Sequence, residues 1–76
     1  MDDKKMFGER LRAQRIKAGW TGRDLAKALE IHPSSITRFE HGENWPSLPT
    51  VLAIMRLLHC SADDLLDWAS ESRHGQ

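Results

Sequence analysis

The sequence lacks several features that mark large classes of proteins. Its 76 residues include one cysteine, Cys60, so no disulfide can form within the chain. No apolar run approaches the roughly 20 residues that span a bilayer, and the N-terminal charges lead into an amphipathic helix rather than a signal peptide. With 39% hydrophobic residues, these absences predict one small, soluble, cytoplasmic domain.

Residues that usually carry catalysis or bind metals are also sparse or badly spaced. The four histidines and Cys60 show no metal-ligand spacing, and Cys60 is interpreted as a small core residue. There is no glycine-rich phosphate loop, and no serine or cysteine stands at a workable spacing from a base. Asp63 and Asp64 are interpreted as helix-start charges. We therefore expect neither an enzyme nor a bound metal or cofactor.

The formal net charge at pH 7 is zero, but the charges are unevenly distributed along the chain. Nine basic and three acidic residues between Lys4 and Arg38 give a balance of +6, whereas residues 39–76 carry two basic and six acidic residues, a balance of −4. Neutralisation of phosphates supplies most non-specific affinity for DNA. The first half is therefore predicted to face nucleic acid, and the acidic half to weaken general binding.

The middle of the sequence indicates two short amphipathic helices joined by a tight turn. Thr21 and Asp24 stand three residues apart, as the N-cap and N3 residues of a capping box do. Pro33 suits the first position of the second helix, where its missing N–H has no partner, and this leaves His32 as the N-cap. The short connection forces a large change of direction. The spacing predicts a helix-turn-helix over residues 22–41.

The second of these helices has two faces of different chemistry. At 100° per residue, Ile36 lies on one side with Phe39 and Glu40. The opposite side carries only polar residues, namely Ser34, Thr37, Arg38 and His41. Such a row suits the DNA major groove, which admits an α-helix and offers donors, acceptors and thymine methyl groups. A merely solvated helix face is the alternative explanation.

Three further helices are indicated by apolar residues at helical spacing, and no strand is. The first helix is expected from about Met6 to Ala18, with Ala18 on its buried stripe and Gly19 as its stop. Ser47 and Ser61 are expected to cap a fourth and a fifth helix. The sequence thus predicts an all-α domain over residues 6–69, between an N-terminal tail (1–5) and a polar C-terminal tail (70–76).

The fourth helix carries apolar residues around nearly all of its circumference, and the fifth adds more. This exceeds what so small a core can cover, so part of the surface is predicted to pair with a second copy of the chain. The expected dimer contacts are Ile54, Leu57, Leu65 and Trp68. Trp68 would equally serve to close the core. Two copies would present two recognition helices to a palindrome.

Five segments of the chain resemble, in order, the XRE family, the lambda-repressor-like helix-turn-helix domains of the Cro and CI repressors of lambdoid phages. They read FGERLRAQR, GWTGRDLAKAL, SSITRFEHG, PSLPTVLAIMRLL and SADDLL. The resemblance covers about four-fifths of the chain. It implies a five-helix DNA-binding domain in which helices 2 and 3 form the helix-turn-helix. It also implies a partly buried salt bridge between Arg15 and Glu40.

The resemblance further implies which residues contact DNA. Base edges are expected to meet Pro33, Ser34, Thr37 and Arg38. Phosphates are expected to meet Thr21, Arg23, Ser35, Asn44 and Ser47. The chain departs from the family pattern at Gly22, where a long polar residue often grips a phosphate. It also has Glu30 and His59 where glycine usually ends helices 2 and 4, so strain or a different cap is expected there.

The implied function is that of a sequence-specific transcriptional regulator. We expect a homodimeric repressor that binds double-stranded DNA at an inverted-repeat operator, in the cytoplasm and on the nucleoid when bound. An antitoxin-type protein that binds a partner toxin and regulates its own operon is the alternative. The acidic, apolar second half of the chain is compatible with that alternative. Neither function involves a membrane.

Overall fold

The computed structural model describes residues 3–66, in which every regular element is an α-helix. In chain order the helices are α1 (Asp3–Lys17), α2 (Gly22–Leu29), α3 (Pro33–Glu40), α4 (Leu48–Leu58) and α5 (Ala62–Leu65). α3 packs against both α1 and α2, while α5 packs on α1 and α4 on α2. The prediction of an all-α fold with five helices, of which α2 and α3 form a helix-turn-helix, is confirmed.

An apolar core joins these helices. Its buried side chains are Phe7, Leu11, Leu25, Ala26, Ile36, Ile54, Leu58 and Leu65. Burying one large apolar side chain stabilises a fold by about 1.5–3 kcal/mol. Within α3 the buried residue is Ile36. This helix is therefore held by one face and leaves the opposite face outward.

α1 begins earlier than predicted and ends one residue earlier. It starts at Asp3 rather than Met6. The negative charge of Asp3, in the first turn, interacts favourably with the positive end of the helix dipole. Residues 3–5 are therefore helical and do not form part of a tail. Gly19, at φ 81°, follows α1 in the left-handed conformation. The prediction that Ala18 is inward was wrong, because α1 has ended at Lys17 and Ala18 lies exposed in the turn.

α2 and α4 both end on a left-handed residue that is not glycine. Glu30 has φ 59° and His59 has φ 53°. The N–H of Glu30 still donates to carbonyls of α2, and the N–H of His59 donates to the Met55 carbonyl. A residue with a Cβ atom adopts this conformation at a cost of roughly 1–2 kcal/mol. Both helix ends are therefore strained, which the departure from glycine had indicated.

The burial of α4 and α5 corrects the predicted dimer interface. Ile54 and Leu65 are both 0% exposed within the single chain. They fill the core because α4 packs on α2 and α5 packs on α1, and they have no surface to offer a second copy. Leu57 is half-buried and packs against the same core. Trp68 lies outside the described residues.

α4 also leaves apolar surface uncovered. Leu48 is 70% exposed, and Leu52, one turn later on the same side of the helix, is 40% exposed.

Among residues 3–66, no helix has the length and hydropathy needed to cross a bilayer. Cys60 is half-buried, and burial raises the pKa of its thiol. It packs beside the core, close to its predicted place.

Candidate nucleic-acid interface

The first turn of α2 is fixed by a reciprocal capping box. The Asp24 N–H donates to Thr21 Oγ1 at 3.0 Å, and the Thr21 N–H donates to Asp24 Oδ2, also at 3.0 Å. These bonds, the backbone one above all, lower the pKa of the Asp24 carboxyl. Because the N–H groups of Gly22 and Arg23 have no acceptor within the helix, they can serve an anion such as phosphate.

The start of α3 is capped by a histidine side chain. His32 Nδ1 accepts a hydrogen bond from the Ser34 N–H at 3.1 Å, and Ser34 Oγ lies 2.8 Å from the same nitrogen. Pro33 follows as the first helical residue, as predicted. The Ser35 N–H donates to the His32 carbonyl at 2.9 Å. His32, Pro33 and Ser34 are all exposed at this end of the helix.

The outward side of α3 is open along its length, and its side chains are polar apart from Pro33. Its exposed side chains are Pro33, Ser34, Thr37, Arg38 and His41, the last being the C-cap residue. Ser35 is half-buried, which leaves it less accessible to a ligand than Ser34. The helical spacing had predicted this division between an inward face at Ile36 and a polar outward face.

Arg15 joins α1 to the far end of α3. Arg15 Nε donates to Glu40 Oε2 at 2.6 Å, Nη2 donates to Glu40 Oε1 at 3.1 Å, and Nη1 donates to the Trp20 carbonyl at 2.9 Å. The two side chains are 13% and 9% exposed, and the hydrogen bond to Glu40 raises the pKa of the guanidinium. The salt bridge that the resemblance implied is thus present. It fixes the position of α3 against α1.

Two glycines let the backbone of α1 approach the C-terminal end of α3 more closely than would be possible with a side chain at either position. A Cβ atom on Gly8 would lie 2.8 Å from the Glu40 carbonyl carbon and would collide with the carbonyl oxygen of Phe39. A Cβ atom on Gly42, which has φ 75°, would lie 2.7 Å from Lys5 Cα. Sequence reasoning missed the role of Gly8. A glycine within a helical pattern was the available signal.

The loop after α3 is held by two residues that the sequence analysis did not single out. The Trp45 ring packs on Phe7 with ring centroids 5.4 Å apart, and Pro46 is buried. This anchoring leaves Asn44 and Ser47 exposed on either side. Ser47 also caps α4, because its Oγ accepts from the Thr50 N–H at 3.3 Å. Glu43 is exposed in the same loop, where an acid weakens attraction for phosphate.

The predicted contact residues therefore fall into three consecutive places on the chain. Thr21 and Arg23 lie at the start of α2, the base-contact set lies on the outward side of α3, and Asn44 and Ser47 lie in the loop that follows.

Over residues 3–66, no three histidine, cysteine, aspartate or glutamate side chains are grouped to hold a metal ion. His74 lies outside the described residues.

Sequence comparison relates the chain to known regulators. A family model described as a helix-turn-helix domain matches residues 6–69. The HTH-type transcriptional regulator DicA of Escherichia coli (strain K12) is 38% identical over 55 residues, covering 72% of this chain and 41% of that protein. ImmR of Bacillus subtilis (strain 168), also an HTH-type transcriptional regulator, is 34% identical over 60 residues, covering 79% and 47%. The chain thus spans less than half the length of these two relatives.

Solved structures of similar fold are also regulators by name. The clp gene regulator ClgR from Corynebacterium glutamicum superposes with a TM-score of 0.78 at 29% identity, over 91% of this chain and 88% of that one. The restriction-modification controller protein C.AhdI from Aeromonas hydrophila has a TM-score of 0.78 at 27% identity, over 87% of this chain and 100% of that one. The arrangement of helices described above is therefore shared with both.

Proposed function

Because the chain belongs to the helix-turn-helix domains of the XRE type, we propose that it binds double-stranded DNA and regulates transcription. The observation that carries this proposal is the outward side of α3, which is exposed along its length and polar apart from Pro33, while its inward side is fixed by Ile36 and the Arg15–Glu40 salt bridge. A rigid, polar helix face of this kind fits the major groove. The relatives named as transcriptional regulators support the same function.

We assign base contact to Pro33, Ser34, Thr37 and Arg38. Arg38 is the long donor of the set and suits the acceptors of guanine, whereas Pro33 offers an apolar contact to a thymine methyl group. Phosphate contact is assigned to Thr21, Arg23, Ser35, Asn44 and Ser47. The caps at Thr21 and Ser47 are compatible with this role, because a hydroxyl oxygen that accepts one backbone bond can still donate to an anion.

The proposed regulator is a homodimeric repressor on an inverted repeat. One α3 meets too few bases for useful affinity, whereas two copies spaced one helical turn apart read a palindrome. Half-buried Leu57 is the remaining described member of the predicted interface, and Trp68 lies beyond the described residues. With a net charge of zero, general attraction to DNA is weak, so binding depends on a specific site. The place of action is the cytoplasm, on the nucleoid when bound.

An antitoxin-type role is the second candidate. The exposed side chains of Leu48 and Leu52 on α4 favour it, because they offer an apolar surface to a partner protein. Purification of the chain from cells that carry its neighbouring genes separates the two. A second small chain that copurifies in fixed ratio favours the antitoxin, whereas a dimer that protects a palindrome by itself favours the repressor.

The test of DNA recognition is selection of bound duplexes from a random pool, with the salt concentration reported. We expect an enriched inverted repeat with half-sites about 10 base pairs apart, centre to centre. Recovery of unenriched sequence at low salt, where electrostatic binding is strongest, would contradict specific recognition. The spacing of the half-sites reports the separation of the two α3 helices in the dimer.

A further inference from the structure

We infer that His32 holds the Ser34 hydroxyl as a hydrogen-bond acceptor toward DNA, so that Ser34 selects adenine or cytosine on the strand that it meets. The inference rests on the proposed function, which places Ser34 at a base edge. His32 acts through Ser34 and is therefore a positioning residue.

The protonation of His32 Nδ1 follows from the backbone group beside it. The Ser34 N–H lies 3.1 Å from this nitrogen, and a backbone N–H can only donate a hydrogen bond. Nδ1 must therefore be unprotonated. In a neutral imidazole one nitrogen carries the hydrogen and the other accepts, so the hydrogen of His32 is on Nε2.

The direction of the Ser34 hydroxyl follows from that tautomer. Ser34 Oγ lies 2.8 Å from the same Nδ1. Two lone pairs at this distance repel each other, so the hydroxyl hydrogen points to Nδ1. A serine hydroxyl has one hydrogen to donate. Because that hydrogen is donated to His32 Nδ1, the exposed Oγ can only accept a hydrogen bond from a DNA base.

An acceptor distinguishes the bases in the major groove. Adenine N6 and cytosine N4 carry amino hydrogens there, whereas guanine offers the acceptors N7 and O6 and thymine offers O4. Ser34 therefore favours adenine or cytosine over guanine or thymine on the contacted strand. A net hydrogen bond corresponds to a preference of about three- to tenfold. A freely rotating hydroxyl would accept or donate and would show no such preference.

Two substitutions of His32 separate its role as helix cap from its role in positioning. Asparagine is a strong N-cap, and its Oδ1 atom can accept from both the N–H and the hydroxyl of Ser34. Glycine is tolerated as an N-cap but has no side-chain acceptor. We expect H32N to keep the base preference. We expect H32G to stay folded, as judged by circular dichroism, and to lose the preference.

The experiment begins with the inverted repeat that the wild type selects. Binding is measured for duplexes with each of the four bases at every half-site position, with wild type, S34A, H32N and H32G. S34A identifies the position that Ser34 reads. Replacing the adenine or cytosine of that pair with an analogue that lacks the amino group, purine or 2-pyrimidinone, should weaken binding about three- to tenfold for wild type and H32N but not for S34A or H32G. H59A is the matched control, because His59 is the C-cap residue of α4 and belongs to none of the proposed DNA contacts. In the free protein, ¹⁵N NMR of the imidazole nitrogens should show the Nε2–H tautomer of His32.

Four results overturn the inference while leaving the proposed function intact. They are an Nδ1–H tautomer, no loss of wild-type affinity when the amino group is removed from the pair that S34A identifies, no position altered by S34A, and an unchanged preference in H32G. If the wild type selects no sequence at all, the proposed function fails, and the inference fails with it.

Discussion

Two arginines of this chain differ in what surrounds them. The guanidinium of Arg15 donates from three nitrogens to Glu40 and to the Trp20 carbonyl, so its hydrogen-bonding capacity is largely used within the protein. Arg38 is exposed on α3. At the scale of residues, the environment therefore assigns Arg15 to the scaffold and leaves Arg38 available to a ligand.

Replacing Arg38 with alanine should remove specific DNA binding and leave the fold intact. Each bidentate arginine–guanine pair discriminates by about 1–3 kcal/mol, and a dimer loses two of them. We expect at least about thirtyfold weaker binding to the selected operator, measured by titration of a labelled duplex, with an unchanged melting temperature. Arg56→Ala, which removes an exposed arginine of α4, is the control. Equal footprints for Arg38→Ala and wild type would refute the assignment.

Replacing Arg15 with methionine should destabilise the fold. The substitution leaves the Glu40 carboxylate, 9% exposed, without its cation. We expect the free energy of unfolding in urea to fall by roughly 2–3 kcal/mol, at or below the lower end of the range for buried pairs because both side chains keep some solvent contact. Arg15→Met with Glu40→Leu should regain part of the loss, because no charge is then stranded. An unchanged unfolding midpoint in the single variant would count against a structural role.

At the scale of elements, the helix ends show where this sequence is strained and where it is well capped. α2 and α5 begin with complete capping boxes, Thr21 with Asp24 and Ser61 with Asp64. α2 and α4 end on Glu30 and His59 in the left-handed conformation that favours glycine. The starts of α2 and α5 follow from local sequence, whereas α2 and α4 end in the left-handed conformation without the glycine that usually marks it.

Replacing either left-handed residue with glycine should stabilise the domain. Glu30→Gly and His59→Gly each relieve the Cβ strain, and the gain is offset in part by the greater freedom of glycine in the unfolded chain. We expect a net gain of about 0.5–1 kcal/mol for each variant, seen as a rise of several degrees in Tm. The alanine variants are matched controls that shorten the side chain but keep the Cβ atom. Equal stabilisation by alanine and glycine would show that strain is not the cause.

The capping boxes should make stability depend on acid pH. The pKa values of Asp24 and Asp64 are lowered, chiefly by hydrogen bonds from the backbone N–H groups of Thr21 and Ser61. Carboxyls with lowered pKa values in the folded state stabilise it above their unfolded pKa and lose this contribution as the pH falls through the folded pKa. We expect Tm to fall between about pH 4 and pH 2, and to fall less in Asp24→Asn. A Tm profile of Asp24→Asn parallel to that of the wild type would contradict a role for this cap.

At the scale of the whole molecule, the position of α3 is set by how closely α1 approaches it. Gly8 and Gly42 allow backbone contact at the end of α3, and the Arg15–Glu40 salt bridge joins the two helices beside that contact. On its other side α3 packs on α2. The outward face of α3 is thus oriented by contacts on its inward side and at its C-terminal end, which leave the outward side chains exposed.

Gly8→Ala should disrupt this contact. The added methyl group would lie 2.8 Å from the Glu40 carbonyl carbon, and overpacking of this kind costs about 3 kcal/mol. We expect a lower unfolding midpoint in urea and weaker binding to the selected operator. Gly22→Ala is the matched control for the unfolding measurement, because its Cβ would meet only Ile36 Cγ2 at 3.8 Å, an ordinary contact. A Gly8→Ala variant as stable as Gly22→Ala would show that the close approach is not required.

The sequence by itself determined which five segments form α-helices, the capping box at Thr21 and the two faces of α3. These features depend on spacing within one helix and on residues next to each other in the chain, so local physical chemistry is sufficient to predict them. The resemblance to the XRE family added the partner of Arg15, which lies 25 positions away at Glu40. Without that resemblance, spacing alone would have left Arg15 as one exposed cation among many.

Only the tertiary structure decided which apolar residues of α4 and α5 are covered. Ile54 and Leu65 are buried in the single chain whereas Leu48 and Leu52 are exposed, because burial depends on which neighbouring helix lies against each face. The same holds for Gly8, whose role comes from the backbone of α3 passing beside it, and for Trp45, whose ring packs on Phe7. Contacts between distant segments are set by the packing of all the helices together, and no local pattern records them.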